Sequence, residues 1–187
     1  MKEMYRTLDD KKILIILAHD NTNTSRVNKR FIKELEGTKN IEIRDIKALY
    51  PNYKIDIHAE QDAIKNADKI VFQFPMYWFN APSILKEWID KVYSLGFAFD
   101  VTKEGYQRRE LNGKEFMLSV SMGGAQEAYD GEKVKSVNEC LTPYIYTAKF
   151  CGMKVVKPYY VYDAMSKALN DKKLNIAAIE YKKLILE

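Results

Sequence analysis

The sequence predicts an α/β fold: a doubly wound, five-stranded parallel sheet in the order 2-1-3-4-5, with helices on both faces. Three observations predict it. Short apolar runs that suit buried strands alternate with helix-like amphipathic stretches. The most apolar runs end directly in polar or aromatic loops. The length, 187 residues, is usual for one domain. We therefore expect residues 1–187 to form a single domain, in which 1–10 are a loose N-terminal extension.

The first half of the chain contains three predicted strands. Residues 12–18 form a continuous apolar run, which is typical of a strand buried on both faces. Residues 41–46 alternate between apolar and polar, which predicts a strand nearer the sheet edge. The third strand is predicted over the apolar run 70–74, broken only by Gln73, and Pro75 stops it, because proline lacks an N–H for the ladder. Helices are predicted after a Ser25 cap, over 58–67 and after Pro82.

A stretch without helical or strand periodicity lies between the helix predicted after Pro82 and the fourth strand. Residues 96–113 carry glycine and charges without periodicity, and we expect an irregular excursion there. The fourth strand is predicted at 114–120. The following helical pattern over 134–150 contains Pro143, which should kink or split the helix.

The last predicted strand is interrupted by proline. Residues 154–162 suit a strand, but Pro158 lies inside it, so the strand should lie at a sheet edge or carry a bulge. A final amphipathic helix follows, with its apolar positions from Leu174 to Ile185.

Composition narrows the possible classes of protein. The net charge of +4 is spread among acidic residues, which favours anionic small molecules over nucleic acid as partners. No run approaches the ~20 apolar residues of a membrane helix, and the N-terminus lacks a signal-peptide pattern. Cys140 and Cys151 fit no metal-ligand spacing, so we expect no metal site, reduced cysteines and a cytoplasmic location.

The loop after the first strand leads into a helix N-terminus. Free N–H groups and a partial positive charge make such an end suitable for phosphate. Ser25, the backbone at Arg26 and Val27, and Asn28 lie on that first turn. His19 and Arg26 add donors or positive charge. Taken alone, Ser25 is more readily interpreted as a plain helix cap than as a ligand-binding residue.

The third strand ends in an aromatic loop. Pro75 is followed by Met76, Tyr77, Trp78 and Phe79, four large side chains where a surface loop is expected. One interpretation is that a flat apolar ligand covers them, because tryptophan and tyrosine stack on planar rings. The other is that they pack on neighbouring residues or on a second subunit.

A glycine pair follows the fourth strand. Ser121 and Met122 precede Gly123 and Gly124, and a backbone without Cβ atoms lets a ligand approach closely. The N–H groups there suit a developing negative charge, and the Tyr129 hydroxyl is a further candidate donor. A simple Gly-Gly turn beside a surface tyrosine is the alternative.

Together these stretches resemble the flavodoxin-like NAD(P)H:quinone oxidoreductases, a family that includes the ancillary oxidoreductases of bacterial potassium-efflux antiporters. The resemblance runs from about residue 12 to 150. Its most specific part is Pro-Met-Tyr-Trp-Phe-Asn-Ala-Pro at 75–82, supported by Ile-Leu-Ala-His at 16–19 and by Gly123-Gly124.

The resemblance implies a flavoenzyme that holds FMN, with FAD possible. It implies two-electron transfer from NAD(P)H through the flavin to a quinone or other small planar acceptor, with ping-pong kinetics. By resemblance, His19 and 25–28 hold the flavin phosphate, 75–79 line the ribityl chain and ring, and 121–124 meet the pyrimidine edge.

Tyr129 occupies the place of a tyrosine that some family members use in catalysis. Two departures stand out: Asp20 replaces a frequent proline, and Lys135 replaces a histidine that completes a tyrosine–histidine relay. Tyr129 is therefore expected to act without that relay. Two other functions remain open: a regulatory subunit associated peripherally with a membrane antiporter, and a flavodoxin-type electron carrier.

Aromatic residues around the proposed flavin predict a homodimer. One small domain would struggle to bury them all, and large exposed apolar patches usually mark interfaces. Both tryptophans, Trp78 and Trp88, are expected to be buried. The residues that predict the interface are Trp78, Phe79, Phe97, Phe99, Tyr144 and Tyr146.

Overall fold

The computed structural model describes residues 11–187, so the extension expected at 1–10 lies outside the described residues. In chain order the strands are β1 (Ile13–Leu17), β2 (Ile41–Asp45), β3 (Lys69–Pro75), β4 (Phe99–Thr102), β5 (Gly105–Arg108), β6 (Glu115–Ser121), β7 (Lys154–Val155) and β8 (Tyr159–Val161). The helices are α1 (Arg26–Leu35), α2 (Ile46–Leu49), α3 (Ile57–Asn66), α4 (Ser83–Val92), α5 (Val137–Cys140), α6 (Thr142–Phe150) and α7 (Asp171–Leu186).

The main sheet is parallel and has the predicted order. β2, β1, β3 and β6 lie side by side, and β7 and β8 both pair with β6 on its far side. β7 and β8 therefore occupy one strand position, interrupted around Pro158 as expected from its missing N–H. The flavodoxin-like order 2-1-3-4-5 is confirmed, with the fifth strand in two short pieces.

Helices cover the sheet on both faces. One core cluster joins α3, α4 and α6 to one face and contains Trp88, Phe72 and Tyr144. The other joins α1 and α7 to the opposite face and contains Phe31 and Tyr181, whose rings stack with centroids 4.6 Å apart. β1 and β3 contribute buried side chains to both clusters, which explains their nearly continuous apolar sequences.

Two local features differ from the sequence-based expectations, and a third, a split helix, was expected. The excursion over 96–113 contains an antiparallel hairpin, β4–β5. The pairing of Thr102 with Gly105 closes its turn. The connection after β2 begins with the short helix α2. The helical stretch over 134–150 is split, because α5 ends at Cys140 and Pro143 lies in the first turn of α6. Proline is tolerated there, since that N–H has no helical partner.

Some of the aromatic residues expected at an interface are buried inside the chain itself. Phe97 is 6% exposed and Tyr144 is 5% exposed. The expectation that Trp78 is buried is wrong for the single chain, in which its side chain is 93% exposed. Trp88 is buried as expected. Of the residues that predict the interface, Trp78, Phe79 and Tyr146 remain exposed and available to a second subunit.

Candidate functional site

The loops that follow β1, β3 and β6 enclose a cavity of about 400 Å³. The parallel register brings the carboxyl ends of these strands together, since Leu17 pairs with Gln73 and Pro75 pairs with Ser121. The cavity lies at the carboxyl edge of the sheet, where open α/β folds bind ligands. All but three of the predicted cofactor-binding residues line it, as does Tyr129; the exceptions are Trp78, Phe79 and Met122.

A second cavity, of about 420 Å³, lies at the amino edge of the sheet between β1, β2 and α3. Similar size does not make it an equal candidate. The strand-end loops that carry the predicted chemistry lie at the other edge, and Glu42 brings an acidic group to this one. The carboxyl-edge cavity is therefore the candidate functional site.

The N-terminus of α1 forms one end of the carboxyl-edge cavity. Ser25 caps the helix, because its Oγ accepts a hydrogen bond of 3.1 Å from the Asn28 N–H. The N–H groups of Arg26 and Val27 lie in the first turn, where no earlier helical carbonyl can accept a hydrogen bond from them. They therefore remain available to an anion. A hydroxyl that accepts one hydrogen bond keeps its own proton to donate. Ser25 thus caps α1 and also lines the cavity.

His19 enters this end of the cavity as a neutral donor. Its Nδ1 accepts a 3.0 Å hydrogen bond from the Asn21 N–H, so the ring proton lies on Nε2. Burial lowers the pKa of His19 below its ordinary value, although Asp20 and Asp45 act in the opposite direction. Of the two contributions expected from the sequence, charge or a donor, the structure supports the donor at neutral pH.

The Arg26 side chain turns away from the cavity. Its guanidinium donates to the Leu169 carbonyl oxygen and forms an ion pair of 3.2 Å with Asp171. Arg26 is nevertheless one of the residues that line the cavity. The sequence suggested that the Arg26 charge would serve the phosphate. In the structure this charge is instead directed at the segment before α7.

A buried hydrogen-bonded chain orients Asn28, and the sequence analysis did not find it. The Gln73 Nε2 donates to the Asn28 Oδ1 at 3.2 Å, and the Tyr181 hydroxyl donates to the Gln73 Oε1 at 2.7 Å. All three residues are buried. A single glutamine inside the apolar β3 run is the signal that was available, since buried polar groups are normally paired.

The aromatic loop contains a strained turn. Tyr77 and Asn80 exchange backbone hydrogen bonds of 2.8 and 3.0 Å around Trp78 and Phe79. These two central residues have φ of +50° and +63°, as in a type I′ turn that usually carries Asn-Gly. Such conformations cost bulky residues about 1–3 kcal/mol each. Tyr144 anchors the turn by donating its hydroxyl to the Asn80 Oδ1.

The glycine pair and Tyr129 form the other end of the cavity. A Cβ on Gly123 would lie 3.1 Å from the Met165 Sδ, tighter than ordinary contact. A hydrogen bond from the Gly124 backbone to Tyr129 opposes the rise in the pKa of Tyr129 that burial causes. The net pKa of Tyr129 is raised, so its phenol keeps its proton at neutral pH. Met122 instead packs its side chain in the core.

A loop that sequence reasoning missed completes the cavity. Ala164 and Met165 follow β8 and line the wall beside Gly123. Backbone hydrogen bonds of 2.9 Å from Asp163 to Gly124 and from Ala164 to Met122 tie this loop to the end of β6. No motif marked the loop, because its place depends on the pairing of β8 with β6.

The residues present fit a flavin mononucleotide. The cavity volume of about 400 Å³ lies within the range of small-ligand sites. None of the cavity-lining residues that the structure describes is acidic, and donors converge at the α1 end, which suits a phosphate. The backbone at Gly123 approaches the cavity where a Cβ would crowd Met165.

Residues 11–187 contain neither a candidate metal-ligand cluster nor a candidate membrane-spanning helix. No group of three or more histidine, cysteine, aspartate or glutamate residues is placed to hold a metal ion. No helix in that range is both long enough and apolar enough to cross a membrane.

Comparisons with known proteins place the chain among oxidoreductases. The Flavodoxin_2 model, described as flavodoxin-like fold, matches residues 11–185. The chain is 35% identical over 164 residues to the uncharacterized NAD(P)H oxidoreductase YrkL of Bacillus subtilis (strain 168), covering 87% of this chain and 91% of that protein. It is 36% identical over 175 residues to the glutathione-regulated potassium-efflux system ancillary protein KefF of Enterobacter sp. (strain 638), covering 94% and 96%.

A solved structure is similar along nearly the whole chain. The general stress protein 14 of Treponema denticola, determined in complex with FMN, has a TM-score of 0.84 and 33% identity to this chain. The match covers 94% of this chain and 99% of that one.

Proposed function

Because the chain belongs to the Flavodoxin_2 family, we propose that it is an NAD(P)H:quinone oxidoreductase that uses FMN. One observation carries the proposal: a helix N-terminus, an aromatic loop and a glycine pair meet around one cavity without acidic lining. The FMN complex of the Treponema denticola relative and the oxidoreductase name of the Bacillus relative support it.

The chain's own residues would hold the cofactor at two ends. Bound FMN supplies the redox chemistry, which takes two electrons from NAD(P)H to a quinone or similar planar acceptor. The N–H groups of Arg26 and Val27, the Ser25 hydroxyl and the His19 Nε2–H would donate to the phosphate. Pro75 to Tyr77, which line the cavity, would form the wall beside the ring system.

At the opposite end, Gly123 and Tyr129 line the cavity and would face the pyrimidine edge. The pKa of Tyr129 is raised by burial, so its hydroxyl keeps the proton that it can donate toward the ligand. A donor fixed before the reaction stabilises negative charge as it develops there. Tyr129 is the residue we assign to catalysis.

We expect the FMN-reconstituted protein to oxidise NADPH or NADH with a quinone and to give parallel double-reciprocal lines. Hydride transfer requires reacting atoms roughly 3 to 3.5 Å apart, so donor and acceptor must use one exposed ring face in turn. Steady-state rates at several fixed quinone concentrations test this. A protein without bound-flavin absorption near ~450 nm would refute the proposed function. Intersecting lines would refute only the ping-pong order.

We also propose a homodimer that covers the aromatic turn. Trp78 and Phe79 are held in strained conformations although Trp78 is 93% exposed in the single chain. Strain of this kind persists where function requires it. A two-fold interface would bury these rings and wall the open side of the cavity with residues of the second copy. Tyr146, exposed on α6, belongs to the same proposed surface.

Light scattering tests the dimer. We expect the wild-type protein to be dimeric at assay concentration and Trp78→Asn to be shifted toward monomer, since asparagine tolerates positive φ but removes the ring. Ile179→Asn is the matched control, because Ile179 is 59% exposed on α7, at the opposite face of the sheet. A fully active wild-type monomer contradicts the proposal.

A regulatory role on a transporter is the second candidate function. The 36% identity to KefF, over 94% of this chain, favours it. Such a role would add peripheral association with a potassium-efflux antiporter to the redox activity. Co-purification with the antiporter from solubilised membranes distinguishes this function from that of an independent enzyme.

The proposal includes a cytoplasmic location. Cys140 and Cys151 both carry free thiols, as is usual where thioredoxin and glutathione keep cysteines reduced. The supply of NAD(P)H to the enzyme is consistent with that compartment.

A further inference from the structure

The carboxyl-edge cavity adjoins another cavity on the far side of the first turn of α1. This adjoining cavity has a volume of about 510 Å³ and lies between α1 and the start of α7. The two cavities share Thr24, Ser25 and Arg26 as lining residues. The first turn of α1 therefore forms a partition between them.

Arg26 supplies the side chain of this partition. From α1 its guanidinium spans to the segment before α7, where it contacts the Leu169 carbonyl oxygen and lies 3.5 Å from the Ser166 carbonyl oxygen. It also pairs with Asp171 at 3.2 Å. These contacts join residues 140 to 145 positions apart in sequence and connect the two elements.

The adjoining cavity has the charge that a second phosphate requires. Lys29, Arg30 and Lys33 line it together with Arg26, and Asp171 is the one acidic residue among its described lining. Arg30 is already engaged with Glu34 at 2.7 Å and with Asn175 at 2.7 Å. The volume lies within the range of small-ligand sites. A dinucleotide whose first phosphate lay at the α1 N-terminus would meet Arg26 before reaching this space.

We propose that Arg26 is a specificity-determining residue, which makes the site select FMN over FAD by closing the phosphate end against the adjoining basic cavity. The inference rests on the proposed flavin function. A terminal phosphate ends at the α1 N-terminus and leaves the Arg26 contacts intact. The second phosphate and the adenosine of FAD must displace the guanidinium from Leu169 and Asp171.

Binding of three flavins to the ligand-free protein tests this inference. Riboflavin, FMN and FAD are titrated into wild type, Arg26→Ala and Arg30→Ala, and flavin fluorescence is measured. We expect wild type to prefer FMN, and Arg26→Ala to bind FAD about tenfold more tightly while its FMN affinity changes less than about threefold. Arg30→Ala, which alters the adjoining cavity but not the partition, should keep the wild-type preference.

The outcomes separate this inference from the proposed function. Wild type that binds none of the three flavins refutes the function itself. An unchanged FMN-to-FAD ratio in Arg26→Ala overturns the selectivity role alone. Weaker FMN binding with unchanged riboflavin binding also overturns it, because Arg26 would then be a phosphate ligand. If Arg26→Ala does not fold, Arg26→Gln removes the charge and the fork with less loss of packing, and the same ratio decides.

Discussion

Replacing Trp88 with alanine is expected to lower the free energy of unfolding by about 3 to 5 kcal/mol, as for other buried large aromatic residues. The Trp88 side chain is 0% exposed. Its ring meets Phe72 edge to face at 5.8 Å between centroids and Tyr93 at 5.6 Å. Removing the indole leaves a cavity in the core beneath α4, which the surrounding elements cannot fully close.

The same substitution disturbs a buried carboxylate. The indole Nε1 of Trp88 donates to the Glu60 Oε2 at 2.9 Å, while Arg44 and Tyr50 donate to the Glu60 Oε1 at 2.6 and 2.5 Å. Glu60 is itself 0% exposed, so each donor matters. Trp88→Phe separates the two effects, because it retains most of the apolar volume and removes the donor; we expect a loss of about 1–3 kcal/mol.

Urea unfolding of Trp88→Ala and Trp78→Ala compares the free energies of unfolding of the two variants. Trp78→Ala is the matched control, since Trp78 is exposed in the single chain and its loss should change the free energy of unfolding of the monomer by no more than ~0.5 kcal/mol. The FMN affinities of the two folded variants should follow the opposite order, because Trp78→Ala should bind FMN more weakly than Trp88→Ala. Equal stabilities would contradict the core assignment of Trp88, and equal FMN affinities would contradict the prediction that Trp78 touches the flavin ring.

The sheet could be predicted because the local sequence of each main strand carries a recognisable pattern. The apolar runs of β1 and β3 are nearly continuous because both faces of each strand are buried. This pattern can be recognised without knowing which strands pair. The β4–β5 hairpin is different. Its residues are half-buried or exposed, so no apolar alternation marked them, and only the backbone pairing defines the two strands.

The site was predictable where a short motif carries its own chemistry. Ser25 as cap and Gly123 at a strand end follow from residue type and position. The direction of Arg26 does not, because its partners lie beyond residue 165 and depend on the packing of α7 against α1. The Trp78-Phe79 turn was also unpredictable, since local propensity favours Asn-Gly at positive φ and the anchoring contact comes from Tyr144.

Replacing Tyr129 with phenylalanine is expected to slow reduction of the bound FMN by NAD(P)H about 10² to 10³-fold, as for the loss of one oxyanion donor. Tyr129 lines the cavity and accepts a hydrogen bond from the Gly124 backbone. No histidine assists it: Lys135, at the relay position, forms an ion pair of 3.3 Å with Glu139 and is largely exposed. The substitution keeps the ring, so FMN affinity should change little.

Stopped-flow measurement of the reduction rate across pH tests this role. Burial raises the pKa of Tyr129 above its ordinary value of 10.0, so its phenol should remain a donor throughout pH 7 to 9. The ratio of wild-type to Tyr129→Phe rates should therefore stay constant over that range. Tyr162→Phe is the matched control, because the Tyr162 ring lies 5.9 Å from that of Tyr129 but does not line the cavity. Equal rates for wild type and Tyr129→Phe would show that the hydroxyl does not act in the reaction. A ratio that falls as pH rises would mean instead that the phenol loses its proton within the range, against the raised pKa.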